Sequence, residues 1–117
     1  MQSNLANIGL SEFMLWLRRR RRRVRVTGDS MLPLLAPGDE VLVDPGAYRR
    51  TGPRPGDIVI ARHPYRTEVT LIKRVESLTA AGQLVLKGDN PAESTDSRTF
   101  GTIGLDQVIG KVTCRFA

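Results

Sequence analysis

The chain has one cysteine, one histidine and three lysines among its 117 residues, and each shortage excludes something. A single cysteine excludes an intramolecular disulfide and suits a reducing compartment. One histidine and one cysteine argue against a zinc site, and we expect no metal and no other cofactor. The longest apolar run, Phe13 to Leu17, is five residues, whereas a membrane-spanning helix needs about 20. We therefore expect neither a membrane anchor nor a secretory leader.

Basic charge is concentrated in one short segment. The formal net charge is +6, and Arg18–Arg23 supply six positive charges, so the other 12 basic residues balance the 12 acidic ones. No aromatic residue interrupts this tract, so we expect no nucleic-acid binding; a binder that uses the tract on phosphates is the alternative class. At most, we expect the tract to make weak peripheral contact with an anionic membrane.

The patterning predicts one mainly β domain, residues 24–117, preceded by a helical and arginine-rich segment, residues 1–23. In the helix, Ser11 is the expected N-cap, and one side is formed by Phe13, Trp16 and Leu17. We expect this segment to pack on the domain or to be disordered; lying on a membrane surface is the alternative. The domain shows short strands separated by turns, typical of a small antiparallel β-sandwich or partly open barrel. The predicted strands are Val24–Val26, Glu40–Val43, Ile58–Arg62, Thr67–Glu76, Gln83–Lys87 and Gln107–Arg115.

Two residues carry most of the chemical information. Ser30 lies in a turn-forming stretch, TGDSMLP (27–33), and Lys73 lies in VTLIKRVE (69–76), which alternates with the period of a strand. The alternation puts Lys73 on the apolar face and Arg74 toward water. A desolvated ammonium has a lowered pKa, and a neutral amine can accept the proton of a serine hydroxyl. A lysine that snorkels at a sheet edge is the alternative.

Other residues fit supporting roles around this pair. Gly28 allows close backbone approach, and the backbone amide of Ser30 can form half of an oxyanion hole. A later polar stretch, GDNPAESTDSR, is dense in hydroxyl groups and turn formers. Within it, Ser94 can orient a lysine amine, while Asp96 and Arg98 can pair and stiffen the loop.

Together these segments resemble the sequence boxes of the type I signal peptidase family, in the family's order, from about Val24 to Phe116. The matching segments are GDSMLP (28–33) with PGD (37–39), RPGDIV (54–59), IKRV (72–75), GDN with SxDSR (88–98), and IGKV (109–112).

The resemblance implies a signal-peptidase-like serine endopeptidase with a Ser/Lys dyad. Ser30 would be the nucleophile and oxyanion donor, Lys73 the base, and Ser94 the support of the lysine amine, while Asp96 and Arg98 would form a structural pair. Gly28 stands where some members carry a side-chain hydroxyl for the oxyanion hole, so the second oxyanion donor is left open.

The chain also departs from the larger members of that family. Only 14 residues separate Lys73 from Gly88, so a sizeable inserted region is missing. This short form is similar to the proteases that mature nickel-type superoxide dismutase by removing an N-terminal extension. The resemblance therefore implies a protein-precursor partner, a nickel superoxide dismutase propeptide, and a location in the cytoplasm or at the periphery of the inner membrane. A signal peptidase that cleaves secretory leaders is the alternative.

Two further alternatives concern the chemistry. His63, the single histidine, leaves a Ser/His/Asp triad open on residue types, although it lies in a loop-like stretch without a pattern. A LexA-like autoprotease also uses a serine and a lysine, but it cuts itself at an Ala-Gly bond upstream of the nucleophile. Here the Ala81-Gly82 bond lies downstream of both Ser30 and Lys73.

Overall fold

Six strands form one antiparallel sheet in the computed structural model, which describes residues 5–66, 68–92 and 97–116. The order across the sheet is β1-β2-β6-β3-β4-β5, and the sheet does not close, so β1 and β5 are its edges. The predicted mainly β, antiparallel fold is therefore confirmed, in the form of a single open sheet. The strands are β1 Arg22–Arg25, β2 Glu40–Asp44, β3 Ile58–Arg62, β4 Thr70–Leu78, β5 Leu84–Lys87 and β6 Val108–Arg115.

The short N-terminal helix is also confirmed, with a different start. Helix α1 spans Leu10–Leu17, and a single turn, α2, spans Ser97–Phe100 ahead of a 3₁₀ turn at Leu105–Gln107. Gly9, not Ser11, is the N-cap of α1, because the Phe13 amide already donates to the Gly9 carbonyl at 3.0 Å. None of the described helices is long and apolar enough to cross a membrane.

Helix α1 packs on the domain through Trp16, one of the three residues of the predicted side, and through Glu12, which lies outside that side. The ring of Trp16 meets the ring of Phe116 edge-on, with centroids 4.8 Å apart. Glu12 accepts hydrogen bonds from the Thr113 hydroxyl at 2.6 Å and from the guanidinium of Arg21 at 3.0 Å. Leu17, which was predicted to share the packed side, is 54% exposed. The apolar periodicity identified the helix but not the face that packs.

The arginine tract is partly built into the sheet. Strand β1 begins at Arg22 rather than Val24, so it crosses the expected boundary between residues 23 and 24, and it pairs with β2. Arg23 donates to Glu40 at 2.6 Å, and its guanidinium lies 4.2 Å from the ring centroid of Phe116. Contacts with Glu40 and Phe116, which are distant in the sequence, therefore hold the charged side chain of Arg23 against the domain. The clustering of charge in the sequence had suggested that this segment lies outside the domain.

The core covers both faces of the sheet. Strand β3 contributes Ile58 and Ile60 to one apolar cluster and Val59 and Ala61 to the other. Because alternate residues of a strand point to opposite faces, a strand buried on both faces reads as a continuous apolar run. The strands beside β3 therefore carry side chains into buried surroundings on either face, and β4 is one of these strands.

Candidate active site

The serine turn follows β1 directly and is anchored in the core. Gly28 has a φ of 80°, a conformation that side chains other than glycine rarely adopt. Past the serine, Met31 and Leu35 are completely buried, and the Leu35 amide donates to the Met31 carbonyl at 2.9 Å. This anchoring holds Ser30 at the edge of the core, where it is 9% exposed.

Lys73 lies on β4 opposite Val59 of β3. The alternation placed it on an apolar face, and the structure agrees, because Leu71, Val59 and Val75 on that face belong to one hydrophobic cluster. Lys73 is 3% exposed. Among the described residues, the buried polar or charged ones are Ser30 and Lys73 alone.

Both residues line one cavity of about 240 Å³. Its other walls are the end of β1, the serine turn with Gly28, and the first half of β4 with one residue of β3. The Ser30 hydroxyl donates to the carbonyl of Ile72 at 3.4 Å, a long and therefore weak hydrogen bond. The hydroxyl thus lies against β4 beside the residue that precedes Lys73, and the structure brings together the serine, the lysine and Gly28.

A segment after β5 packs onto the serine turn. The amide of Asn90 donates to the Ser30 carbonyl at 2.9 Å, and its side-chain amide donates to the Asp29 carbonyl at 3.0 Å. A Cβ atom placed on Gly88 would lie 2.7 Å from the Ser30 carbonyl oxygen and 3.3 Å from the Ser30 Cβ. Only a residue without a side chain fits at this approach, so Gly88 and Asn90 fix where the serine backbone lies.

The same segment is tied to the lysine strand by an ion pair that the sequence did not reveal. Arg74 donates to both carboxylate oxygens of Asp89, at 2.8 and 2.9 Å, and also to the Gly56 carbonyl at 2.8 Å. Hydrogen bonding to Asp89 raises the pKa of Arg74 above its ordinary value. The expectation that Arg74 faces water was wrong: its side chain is 16% exposed, because alternation indicates a face but not a partner 15 positions away. The acidic residue beside Gly88 was the available signal.

His63 lies outside this cavity. Its Nδ1 accepts hydrogen bonds from the backbone amides of Tyr65 at 3.1 Å and Arg66 at 3.2 Å. Its ring meets the ring of Phe100 with centroids 5.1 Å apart. A ring nitrogen that accepts two backbone hydrogen bonds serves the β3–β4 turn, and this arrangement does not support a histidine base for Ser30.

The polar loop is described only in part. Ser94 and Asp96, the predicted support of the lysine amine and half of the structural pair, lie outside the described residues. Arg98 is an exposed residue of α2. The neighbouring Ser97 accepts a hydrogen bond from the Leu86 amide at 2.7 Å, which ties α2 to β5.

The chain is similar in sequence to a peptidase family and to individual proteases. A family model described as Peptidase S24-like matches residues 11–113. The chain is 33% identical over 110 residues to the mitochondrial ATP-independent inner membrane protease subunit 1b of Arabidopsis thaliana, covering 75% of this chain and 65% of that protein. It is 30% identical over 108 residues to the human mitochondrial inner membrane protease subunit 1, covering 76% of this chain and 65% of the relative. The chain therefore spans about 65% of the length of these relatives.

Proposed function

The chain belongs to the Peptidase S24-like family, and on that premise we propose that it is a serine endopeptidase in which Ser30 is the nucleophile and Lys73 the general base. The observation that carries this proposal is the burial of these two polar residues on one cavity. Burying a lysine is costly, because an ammonium loses its hydration. A snorkelling lysine keeps its charged end in water, and a side chain that is 3% exposed does not. A base that works in the neutral form is consistent with that burial.

The proposed reaction uses the cavity in two half-reactions. The Lys73 amine takes the proton of the Ser30 hydroxyl while the oxygen attacks the peptide carbonyl carbon, and the resulting ammonium gives this proton to the departing amine. A water that enters next loses a proton to the same amine and attacks the acyl-enzyme. The second tetrahedral intermediate then releases the carboxylic acid, and the serine oxygen takes back a proton from the ammonium.

Charge on the carbonyl oxygen needs a donor during both steps. The backbone N–H of Ser30 makes no hydrogen bond within the described part of the chain, which supports its proposed role as oxyanion donor. Gly28 lines the same cavity and leaves it unobstructed by a side chain. The support of the lysine amine by Ser94 and the pairing of Asp96 with Arg98 remain predictions.

The walls of the cavity suit an extended peptide. Strand β5 pairs with β4 only from Arg74 to Leu78, so the stretch of β4 at residues 70–73 lies beyond the last paired residue. The last two residues of β1 and the residue after it, 24–26, line the same cavity. A peptide in the extended conformation can add main-chain hydrogen bonds to a strand edge that no neighbouring strand pairs with, and this supports a protein substrate cut within an extended segment.

For the substrate, we propose a protein precursor that loses a short N-terminal propeptide, with the nickel superoxide dismutase precursor as the first candidate. The short connection between the lysine and Gly88, which the structure forms from the rest of β4, one turn and β5, supports the resemblance behind this choice. A precursor that loses a secretory leader at a membrane is the second candidate, and the names of the relatives as inner membrane proteases favour processing at a membrane. Residence in the cytoplasm or at the periphery of the inner membrane stays a prediction.

The direct test mixes the purified chain with each precursor and identifies new amino termini by mass spectrometry. We expect one new terminus at the propeptide junction, abolished by Ser30→Ala and by Lys73→Met. Matched controls are Ser77→Ala and Lys87→Met, exposed residues of β4 and β5, which should cleave normally. Cleavage of a secretory leader alone would favour the second substrate, and products from the chain by itself would indicate an autoprotease. Cleavage that persists in Ser30→Ala would overturn the proposed chemistry.

A further inference from the structure

Helix α1 presents its apolar side to solvent. Its most exposed large apolar residues recur with the spacing of one helix face; this apolar stripe consists of Leu10, Phe13, Met14 and Leu17, which are 77, 38, 41 and 54% exposed. Glu12 and Trp16 lie on the other side and make the contacts with Thr113 and Phe116 described above. The helix is thus amphipathic, but its orientation is the reverse of that of an ordinary surface helix. The Glu12 carboxylate faces the domain and the apolar stripe faces solvent.

Exposed positive charge follows the stripe directly. The arginine flank consists of Arg18, Arg19, Arg20 and Arg22, all exposed, and none of them forms an ion pair with a carboxylate among the described residues. Arg21 and Arg23 of the same tract are paired with carboxylates instead. The tract therefore divides into two arginines paired with carboxylates of the domain and four exposed arginines with no ion pair among the described residues.

The turn that ends α1 supports a role for this charge. The amides of Arg20 and Arg19 donate to the carbonyls of Leu15 and Trp16 at 2.8 and 2.9 Å, the two bonds of a Schellman motif. Arg19 has a φ of 62°, in the left-handed position of that motif where glycine is the unstrained residue. The chain has an arginine at a position where glycine would relieve strain, and strain of this kind often accompanies function.

We propose that the apolar stripe and the arginine flank form a surface that binds an anionic lipid bilayer. Eight helical residues span only about 12 Å, against roughly 30 Å of bilayer hydrocarbon, so α1 lies in the plane of the interface with its stripe in the acyl boundary and the arginines among the headgroups. A second copy packed parallel to the first through the stripe would bring two arginine flanks together, and self-association through an antiparallel contact is one outcome of the test below. The proposal does not depend on the peptidase chemistry.

Co-sedimentation of the full chain with phosphatidylglycerol/phosphatidylcholine vesicles tests it, with pure phosphatidylcholine as the neutral reference. We expect binding to the anionic vesicles that weakens from 0.05 to 1 M salt, because exposed charges are screened within about 8 Å at 0.15 M and about 3 Å at 1 M. Arg18, Arg19 and Arg20 changed together to Gln should lower the partition coefficient about a hundredfold. The matched control, Arg50, Arg62 and Arg66 changed to Gln, alters the net charge equally at exposed sites elsewhere and should change it less than twofold.

Two further variants separate lipid binding from folding. Arg19→Gly should weaken binding about fivefold while the resistance of the chain to urea stays the same or rises, because strain is removed. Leu10→Ser with Leu17→Ser should weaken binding at least tenfold, and the emission of Trp16, the one tryptophan, reports whether α1 stays docked. Tyr65→Ser, an exposed apolar residue far along the chain, is its control. Binding that is equal on neutral vesicles, unchanged in the stripe variant, or replaced by stripe-dependent self-association in sedimentation equilibrium would overturn the proposal.

Discussion

At the level of single residues, the proposed chemistry makes Ser30 and Lys73 one working unit. Removing either residue leaves the other without its partner in proton transfer, so the effects of the two substitutions should not add. We expect Ser30→Ala and Lys73→Met each to lower kcat by a factor of 10³ or more, on the order of what a nucleophile or its base contributes. The double variant should be scarcely worse than either single variant. Steady-state cleavage of a fluorogenic precursor peptide measures all three.

The controls for that experiment concern the fold. Lys73→Met keeps an unbranched side chain of similar length in a buried site, so urea unfolding should still show one cooperative transition, which separates loss of chemistry from loss of the fold. Losses that multiply in the double variant would mean that the two residues act independently. Full activity of Lys73→Met together with loss of activity in His63→Ala would identify His63, and not Lys73, as the general base.

The burial of Lys73 predicts a particular pH profile. Desolvation disfavours the ammonium form, and the lysine is 3% exposed. Because the neutral amine is the active form, kcat/KM should fall tenfold per pH unit on the acid side and reach a plateau on the alkaline side. The pH of half-maximal rate should lie well below the roughly 10.4 of an unperturbed lysine. A rate that still climbs near pH 10 in a stopped assay would contradict a desolvated base.

Gly88 offers a test of how closely the serine turn is held. A Cβ atom at this position would lie 2.7 Å from the Ser30 carbonyl oxygen, so Gly88→Ala should displace the turn and lower kcat at least tenfold, since misplacement of about 1 Å can cost a hundredfold. Gly82→Ala is the control: it lies in the β4–β5 turn at a φ of 80° with open space around it. Both variants should unfold at a slightly lower urea concentration than the parent, but only Gly88→Ala should lose activity.

At the level of elements, the ion pair between Arg74 and Asp89 links β4 to the segment that packs on the serine turn. Its two hydrogen bonds are 2.8 and 2.9 Å long, and its side chains are 16 and 13% exposed. A double-mutant cycle with Arg74→Gln and Asp89→Asn should give a coupling free energy of about 1–3 kcal/mol in urea unfolding. The single variants should also lower kcat, because the Gly88–Asn90 contacts on Ser30 loosen.

The neighbouring pair of Lys87 and Glu76 is the matched control for that cycle. It joins β5 to β4, but its atoms are 3.6 Å apart and its side chains are 48 and 51% exposed. Exposed pairs of this kind contribute little because water and salt screen them. A cycle with Lys87→Gln and Glu76→Gln should therefore give a coupling below about 0.5 kcal/mol, and equal couplings for the two pairs would contradict the importance assigned to Arg74.

The sequence predicted elements best where turn signals bound a strand on both sides. Strand β3 was predicted at its observed bounds, because Gly56 adopts a positive φ in the turn before it and His63-Pro64 follows it. Strand β4 starts three residues later than predicted, since the Val69 amide donates to the Arg66 carbonyl in a turn. Alternation alone cannot distinguish an extended residue in a turn from one in a strand.

The site was predictable to a similar degree. Local patterns placed Ser30 in a turn and Lys73 on an apolar face, and the structure brings both to one cavity. The ion pair of Arg74 with Asp89 and the approach of Gly88 to the serine were missed. Both contacts depend on how β4, β5 and the serine turn pack together in the folded chain. The spacing of residues along the sequence does not predict this packing.

At the level of the whole molecule, the placement of β1 changes what a truncation removes. A chain that starts at Arg18 keeps β1 whole, whereas one that starts at Val24 loses the pairing of Arg22 with Val43 and of Arg23 with Leu42. We expect the first to cleave within about tenfold of the full chain and the second to be far less active, because the end of β1 lines the cavity. Urea unfolding should show the same order. Equal behaviour of the two truncations would show that the first half of β1 is dispensable.

An open sheet has a further consequence for how the molecule behaves at high concentration. An exposed edge strand offers unpaired backbone groups to any other strand, and edge-to-edge pairing is a route to aggregation. Here one edge is β1, whose sequence is RRVR. If the β1 edges of two molecules paired, arginines would lie opposite arginines and repel each other. The arginines that contribute to the pI of about 10.4 therefore also oppose the pairing of sheets between molecules.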